Sequence, residues 1–432
     1  MTKQGTSALS PNYKWWVVGM LWCISFFNYA DRQAIFSVFP LLEKEMDLDP
    51  IQLGLLGSSF AWVYGLSAPL AGMIVDRVKR TKAIIGGLHA WSIICMATAL
   101  SRNFGHLLFF RAAEGLGETF YYPASMSLIS DYHGKKTRSR AMGTHQTSVY
   151  VGTIAGGFFA GWIGQVYGWR WSFIVFGGLG VLLGFALHKF LHEPVRGAAE
   201  EHPAAIAGSN VPEQPVVPAK LSAGQTFALI LKKPTAVALM LAFLCANFVA
   251  VVLLSWMPKF LHDKFELNLA MAGLAATVFA QVASMTAAPI GGWLADRLRA
   301  KTAGGRLMVQ AAGVLLGAPM VALCGLTGDI VWLLVALTGW GFFKGLYDAN
   351  IFASLYDVIP PNARGSAAGL MNTVGWLGGG TAPLLIGIVA QRSSLGFAIA
   401  LASAVYVLAG LILLTAITFF VKRDALQMET NA

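Results

Sequence analysis

Three ionisable residues, Arg111, Glu114 and Glu118, lie at helical spacing in an otherwise apolar stretch of the chain. Residues at positions i, i+3 and i+7 share one face of a helix, so the guanidinium and both carboxylates face the same way. Burial disfavours the charged form of a carboxyl group, whereas a nearby arginine favours it. A carboxyl group balanced between these effects can load and release a proton near neutral pH. The pattern predicts proton coupling at Glu118 and Glu114, with a structural ion pair to Arg111 as the alternative.

A second polar group, Asn28-Tyr-Ala-Asp31-Arg32, interrupts the first apolar stretch. A guanidinium holds a carboxylate through two parallel hydrogen bonds, which makes Arg32 the best candidate for binding an anionic substrate. Successive residues point about 100° apart around a helix, so Asp31 need not neutralise Arg32 and can titrate separately. A purely structural Asp31–Arg32 network is the alternative.

A third group, Lys344, Tyr347 and Asp348, lies in the second half of the chain. Lys344 can contact an anionic substrate or pair with an acid, and Asp348, one helical turn on, can simply neutralise it. A lone histidine in an apolar stretch, His145, is interpreted as a hydrogen-bonded packing residue. The predicted substrate contacts are Arg32, Arg111, Tyr29, Tyr122, Gln146, Tyr150, Lys344, Tyr347 and Asn372.

Membrane-spanning helices must position these residues. The chain has 432 residues, of which 56% are hydrophobic and 12% charged, whereas roughly 25% charged residues are usual in a soluble domain. The apolar residues recur in stretches of about 20, each long enough to cross roughly 30 Å of hydrocarbon. The sequence predicts an all-α membrane protein with twelve transmembrane helices, among them spans at 15–38, 105–130, 235–261 and 329–355.

The net charge of +10 could by itself suggest a nucleic-acid partner. The basic residues instead cluster in short loops on the side of the termini, which is how a membrane protein fixes its orientation. We therefore expect a monomer in the inner (plasma) membrane, crossing the bilayer many times, with both termini in the cytoplasm and no nucleic-acid partner. The sequence shows neither a nucleotide-binding loop nor a metal-ligand cluster, so no enzyme activity, cofactor or metal is expected.

An internal repeat predicts two similar halves. Residues 68–77 match residues 288–297, and a weaker echo relates 131–143 to 357–369. The long hydrophilic segment 193–233 is interpreted as a cytoplasmic linker between a six-helix bundle at 1–192 and another at 234–432. Repeats of this kind place a central substrate site between the two bundles.

The loop after the second span resembles the signature of the major facilitator superfamily, and that resemblance covers the whole chain. It implies the major facilitator fold and alternating access. The matching residues are interpreted as a charge network that holds one conformation and releases in the other. They are Gly72, Asp76, Arg77 and Arg80, with Asp296 and Arg297 in the repeat.

The first and fourth spans also resemble the anion:cation symporter family, which includes sialin and the bacterial hexuronate transporters. The matching segments are Asn28-Tyr-Ala-Asp31-Arg32 and the run from Arg111 to Pro123. The resemblance implies that Arg32 contacts a substrate carboxylate while Asp31 and Glu118 carry protons.

Both segments are similar as well to bacterial relatives of the spinster lipid transporters, and His145-Gln146 departs from the hexuronate pattern. The leading hypothesis is proton-coupled symport of a small organic anion, a carboxylate or sugar acid. The alternative is transport of a lysolipid or another amphipathic anion.

Overall fold

The computed structural model describes residues 12–75, 77–194, 223–360 and 363–429. Within these ranges the chain is helical and contains no β-strand, in agreement with the predicted all-α class. The helices before the undescribed segment 195–222 are α1 (Tyr13–Ser37), α2 (Phe39–Met46), α3 (Pro50–Val75), α4 (Arg80–Thr98), α5 (Phe104–Glu118), α6 (Tyr121–Tyr132), α7 (Lys135–Tyr167) and α8 (Trp169–Phe190).

The second half follows the same plan. Its helices are α9 (Ala223–Leu231), α10 (Pro234–Phe265), α11 (Leu269–Arg299), α12 (Gly305–Leu326), α13 (Ile330–Asp348), α14 (Ile351–Tyr356), α15 (Arg364–Arg392), α16 (Leu395–Thr415) and α17 (Val421–Glu429). A short π-helical turn at Ala416–Phe420 joins α16 to α17. Most of the predicted linker lies outside the described residues, and α9 occupies its last part, so its limits remain a prediction.

Nine helical segments in the described part of the chain are long and apolar enough to cross a membrane. Three further runs, namely α1, α4 and α5 with α6, have comparable length but carry more polar and charged residues. Together they give twelve helical runs of membrane-crossing length among the described residues, as the sequence predicts. The three less apolar runs include those that carry the first two groups of candidate residues.

The fourth and tenth spans are each broken, whereas the sequence suggests continuous helices at 105–130 and 329–355. The fourth span divides between Glu118 and Tyr121. Pro123 has no N–H to donate to the carbonyl four residues earlier, so the helical hydrogen-bond ladder is interrupted there. In the tenth span the Asn350 side chain donates to the Leu346 carbonyl at 3.0 Å, in competition with the backbone ladder.

Equivalent contacts recur in the two halves. Arg138 donates to the backbone carbonyls of Ser130 and His133, and Arg364 donates to those of Tyr356 and Ile359. Each member of the second set lies 226 positions after its counterpart. The weaker sequence repeat at 131–143 and 357–369 thus corresponds to the same loop geometry in both halves.

The helices of the two halves meet at one end of the molecule. We call the end where α1 begins and the α3–α4 loop lies the basic end, and the end where α2 finishes the opposite end. At the opposite end α3 packs on α15, and α7 packs on α11. A side-chain carbon on Gly54 would lie 2.4 Å from the Pro383 carbonyl oxygen, and one on Gly157 would lie 2.6 Å from that of Gly273. Only glycine permits backbones this close.

The same helices are apart at the basic end. Gly72 on α3, Gly143 on α7, Gly292 on α11 and Gly369 on α15 have no described atom within 4 Å of the place a side chain would occupy. The protein therefore adopts a conformation closed at the opposite end and open at the basic end.

Candidate functional site

Arg32 on α1 and Glu118 at the end of α5 form a buried ion pair. The Nε of Arg32 donates to Glu118 Oε2 at 2.5 Å. Arg32 is 9% exposed and Glu118 is fully buried. Removing a charged group from water costs on the order of several kcal/mol per ion, so a buried ion pair is stable only when its hydrogen-bond geometry is good. Arg32 Nη1 and Glu118 Oε1 have no hydrogen-bond partner among the described residues, so neither group is saturated.

Four aromatic rings surround the Arg32 guanidinium, a set we call the aromatic box. They belong to Tyr29 at 4.8 Å, Phe60 at 5.1 Å, Tyr64 at 4.5 Å and Trp376 at 5.5 Å. Ring faces attract a cation, by about 2 kcal/mol or more where water is excluded. The first three rings come from α1 and α3, whereas Trp376 comes from α15 in the second half. Arg32 is thus held at the contact between the halves.

Asp31, Glu114 and Cys95 form a second buried group beside the pair. Their carboxylate and thiol atoms lie within 4.8 Å of one another. Arg111 Nη1 donates to Glu114 Oε2 at 2.5 Å, and its guanidinium supplies the positive charge of this group. Both Asp31 oxygens are buried with no hydrogen-bond partner among the described residues. A buried carboxylate without a hydrogen-bond partner is costly, which makes Asp31 a candidate for carrying a proton.

Local sequence explains why Glu118 reaches α1. Side-chain carbons on Gly115 and Gly117 would lie 2.5 Å from the Phe60 carbonyl oxygen and 3.2 Å from the Trp91 side chain. The two glycines thus let α5 pack closely between α3 and α4. Glu114 pairs with Arg111, as in the structural alternative, whereas Glu118 pairs with Arg32 and not with Arg111.

In the second half, Lys344 donates to Asp348 on the same helix. Both side chains are largely buried, and they lie on α13 in the second half. Tyr347 points elsewhere: it is 1% exposed and packs against Gly313 on α12. The structure does not bring Tyr347 to the other predicted substrate contacts.

The remaining predicted contacts are less enclosed. Tyr122 and Gln146 are exposed, and Asn372 is half-buried. These three residues lie on α6, α7 and α15, and the structure places none of them in the aromatic box.

At the basic end, Arg80 joins three elements. It pairs with Asp131 on α6 and with Glu193 after α8, and its Nη1 donates to Ser127 at 3.1 Å. Glu193 also accepts from the backbone N–H groups of Arg80 and Thr81 at 3.1 and 2.8 Å, so it caps the start of α4. Partial burial alone would raise the pKa of Glu193, but these hydrogen bonds outweigh it and hold that pKa below its ordinary value.

The second half repeats this arrangement with Arg306, which lies 226 positions after Arg80. Arg306 donates to Asp357 at 2.7 Å and to Asp296 at 2.8 Å. Arg297, also predicted to be a gating residue, is exposed beside the ring of Trp293. The predicted gating residues Gly72 and Arg77 lie at the end of α3 and just after it, whereas Asp76 lies outside the described residues.

One ion pair at the opposite end crosses between the halves. Lys259 on α10 donates to Glu43 on α2 and, at 2.6 Å, to Asp263 Oδ2. Lys259 is 6% exposed and lies near the end of the predicted span at 235–261. Helix α10 continues to Phe265 and so encloses the lysine. The position of this lysine inside a predicted apolar span was the sequence signal that could have identified it.

The Major Facilitator Superfamily model matches residues 21–383 and, separately, residues 265–431. A probable galactarate/D-glucarate transporter of Escherichia coli (strain K12) is 25% identical over 401 residues, covering 88% of this chain and 87% of that protein. The hexuronate transporter of Bacillus subtilis (strain 168) is 25% identical over 403 residues, covering 91% and 92%. Protein spinster homolog 1 of Bos taurus is 27% identical over 407 residues, covering 90% and 75%.

A solved structure shares the fold. It is a bacterial homolog of the human lysosomal transporter spinster in an inward-facing and occupied conformation. The TM-score is 0.81 at 21% identity, and the match covers 96% of this chain and 98% of that one. At this identity the likeness establishes the architecture alone.

Proposed function

The chain belongs to the Major Facilitator Superfamily and is therefore a multi-pass membrane transporter and not an enzyme; from that premise we propose that it moves a small organic anion, a carboxylate or sugar acid, by proton-coupled alternating access. The family match agrees with the resemblance drawn from the sequence motifs. The anion class is supported by the relatives that transport galactarate, glucarate and hexuronates.

The Arg32–Glu118 ion pair is the observation that carries this proposal. The guanidinium is the group best suited to hold a carboxylate, and its present partner is itself a carboxylate. A substrate carboxylate and Glu118 therefore compete for one cation. Protonation of Glu118 removes its charge and frees Arg32 for substrate, which couples proton uptake to anion binding.

Other residues contribute to the same step. Asp31 and Glu114 complete the proton-handling group with Glu118. Lys344, released from Asp348, is a second cation for the anion from the other half. The further proposed substrate contacts are Tyr29, Arg111, Tyr122, Tyr150, Gln146 and Asn372.

The distribution of positive charge supports a proposed orientation. We propose that the protein lies in the inner membrane with its basic end toward the cytoplasm, because basic loops favour that side. The conformation open at that end is then inward-facing. The Lys259–Glu43 pair joins the halves at the closed outer end, whereas the described ion pairs of Arg80 and Arg306 each lie within one half. We further propose bundles at 1–192 and 234–432 and a monomeric transporter.

A lysolipid or another amphipathic anion is the second candidate, favoured by the aromatic box. Rings from four aromatic residues give the Arg32 site apolar walls, which suit an acyl or aromatic group beside an anionic head. The bovine spinster relative supports this candidate too.

A thermal-shift screen of purified protein tests the proposal. Sugar acids, aromatic acids and lysolipids would be added over a range of concentrations, because ligand binding stabilises the folded state by an amount set by concentration over Kd. We expect stabilisation by a carboxylate and none by its uncharged amide. Stabilisation by lysolipids alone would favour the second candidate, a transporter of amphipathic anions. Equal stabilisation by the acid and its amide would contradict an anion-binding site.

A further inference from the structure

A buried hydroxyl joins three helices next to the break in the fourth span. Tyr121, the first residue of α6, places its hydroxyl 2.6 Å from the Leu21 carbonyl oxygen on α1. The same hydroxyl lies 2.7 Å from Nε2 of His145 on α7. Tyr121 and His145 are both buried, and their rings stack at 6.0 Å. We call this group the Tyr121 pin.

The chemistry of the partners fixes the direction of each hydrogen bond. A carbonyl oxygen can only accept, and a hydroxyl has one hydrogen to give. The Tyr121 hydroxyl therefore donates to Leu21, and His145 must donate to the hydroxyl oxygen through Nε2. Nδ1 of His145 is buried and has no partner among the described residues. The hydrogen bonding of the His145 ring in the described chain therefore runs through Nε2 to Tyr121.

The Tyr121 pin lies at the break in the fourth span, next to Glu118. Tyr121 follows Glu118 by three residues, and the helix is interrupted between them, so α5 alone does not hold the intervening backbone. Leu21 and Arg32 are eleven residues apart on α1, which is about three turns and the same helix face. One face of α1 therefore contacts the fourth span on both sides of its break, through Arg32 to Glu118 and through Leu21 to Tyr121.

We propose that His145 is a positioning residue for the ion pair: through Tyr121 it fixes the break of the fourth span against α1 and so aligns Glu118 with Arg32. His145 touches neither member of the pair by hydrogen bond; its contacts run to Tyr121 and Ser148. The functional consequence rests on the proposed coupling role of Glu118, whereas the alignment itself does not.

A double-mutant cycle on the melting temperature tests the alignment without any substrate. His145→Leu is compared in the wild-type and Glu118→Gln backgrounds, because residues that act through one network show non-additive effects. We expect His145→Leu to lower the melting temperature, and to lower it by about half as much or less when Glu118 is already replaced. His89→Leu is the matched control, since the described hydrogen bond of His89 stays within its own helix, at Ile85, and its ring packs against Gly184 and Phe185 on α8.

Conservative variants complete the test. His145→Gln keeps a donor at the end of the side chain and should recover most of the loss, whereas Tyr121→Phe removes only the hydroxyl and should show the same coupling to Glu118→Gln. Tyr121→Phe also serves if His145→Leu does not fold. Additive losses, or no rescue by glutamine, would overturn the proposal. Because the cycle involves no gradient or substrate, it fails or succeeds independently of the proton-uptake experiment that tests the transport function.

Discussion

The Nε of Arg32 lies 2.5 Å from the Glu118 carboxylate, although 86 positions separate the two residues in the chain. Each is enclosed, and each keeps one polar atom without a partner in the described chain. In the proposed mechanism, another carboxylate takes the guanidinium when Glu118 gains a proton.

Replacing Glu118 by glutamine should separate proton coupling from substrate exchange. The amide cannot carry a proton, so uptake driven by a proton gradient should fall by about a hundredfold or more, as for loss of a general acid–base group. Counterflow exchange should persist because Arg32 is then unopposed. Both would be measured in proteoliposomes with the same labelled carboxylate, and loss of both activities would assign Glu118 a structural role.

Substitutions of Arg32 should weaken carboxylate binding, and Arg32→Ala should abolish it. Arg32→Ala removes the cation and leaves Glu118 buried without its partner, which typically costs about 3–5 kcal/mol. Arg32→Lys keeps the charge but loses the planar fork, so affinity should fall by roughly tenfold or more. Calorimetric titration would measure both. Unchanged affinity in Arg32→Ala would exclude this residue from the substrate site.

Trp376→Ala should weaken binding without removing it. The ring is the second-half wall of the aromatic box, and a desolvated cation–ring contact is worth about 2 kcal/mol. We expect affinity to drop by up to roughly thirtyfold as Arg32 becomes more mobile. Trp171→Ala, an exposed tryptophan at the opposite end, is the matched control and should bind as the wild type does. Equal losses in both variants would point to general destabilisation.

Lys259→Met should shift the protein toward the conformation open at the opposite end. The change removes the cation that joins Glu43 of the first half to α10, and each 1.4 kcal/mol lost changes the population ratio about tenfold. Spin labels at the exposed positions Ile74 and Trp293, in a background lacking the native cysteines, would report the width of the basic end. We expect shorter distances to gain population.

Arg170→Gln provides the control for that experiment. Arg170 pairs with Glu45 at the same end but within the first half. Its loss should leave the distance distribution unchanged. A shift in Arg170→Gln equal to that in Lys259→Met would show that the inter-half bond has no special role.

The contribution of Glu193 to stability should depend on pH. Its pKa in the folded protein is below the ordinary value, so the folded state favours the ionised form. That stability is fully present above the unfolded pKa of about 4.3 and is lost as the pH falls through the lower, folded value. The difference in melting temperature between wild type and Glu193→Gln should therefore shrink below about pH 4.3. A difference independent of pH would contradict this account.

The sequence was sufficient for the fold class and for the polar residues of the first half. Apolar stretches of membrane length were enough to predict the spans, because a segment that crosses the hydrocarbon must be apolar and must satisfy its own backbone hydrogen bonds. Helical spacing correctly placed Arg111 beside Glu114. Charged residues inside such stretches are costly enough to mark a site, which is why Asp31, Arg32 and Glu118 could be selected in advance.

Ion-pair partners on different helices could not be predicted from the spacing of residues along the chain. Nothing local to residues 111–118 shows that Glu118 meets α1 while Glu114 stays with Arg111, because that choice depends on the close packing at Gly115. Phe60, Tyr64 and Trp376 were missed as a set, since aromatic side chains in apolar spans usually face lipid or pack in a core. Tyr347 was selected for its neighbours in sequence but is buried against α12.

Uptake into proteoliposomes with and without an inward proton gradient tests the central claim most directly. The substrate would be a carboxylate that stabilises the purified protein, and the gradient would be collapsed by a protonophore in the matched sample. The account predicts that the labelled carboxylate accumulates only while the gradient lasts and that Glu118→Gln does not accumulate it. Accumulation that is unchanged after the gradient is collapsed would contradict proton-coupled transport through the Arg32–Glu118 pair.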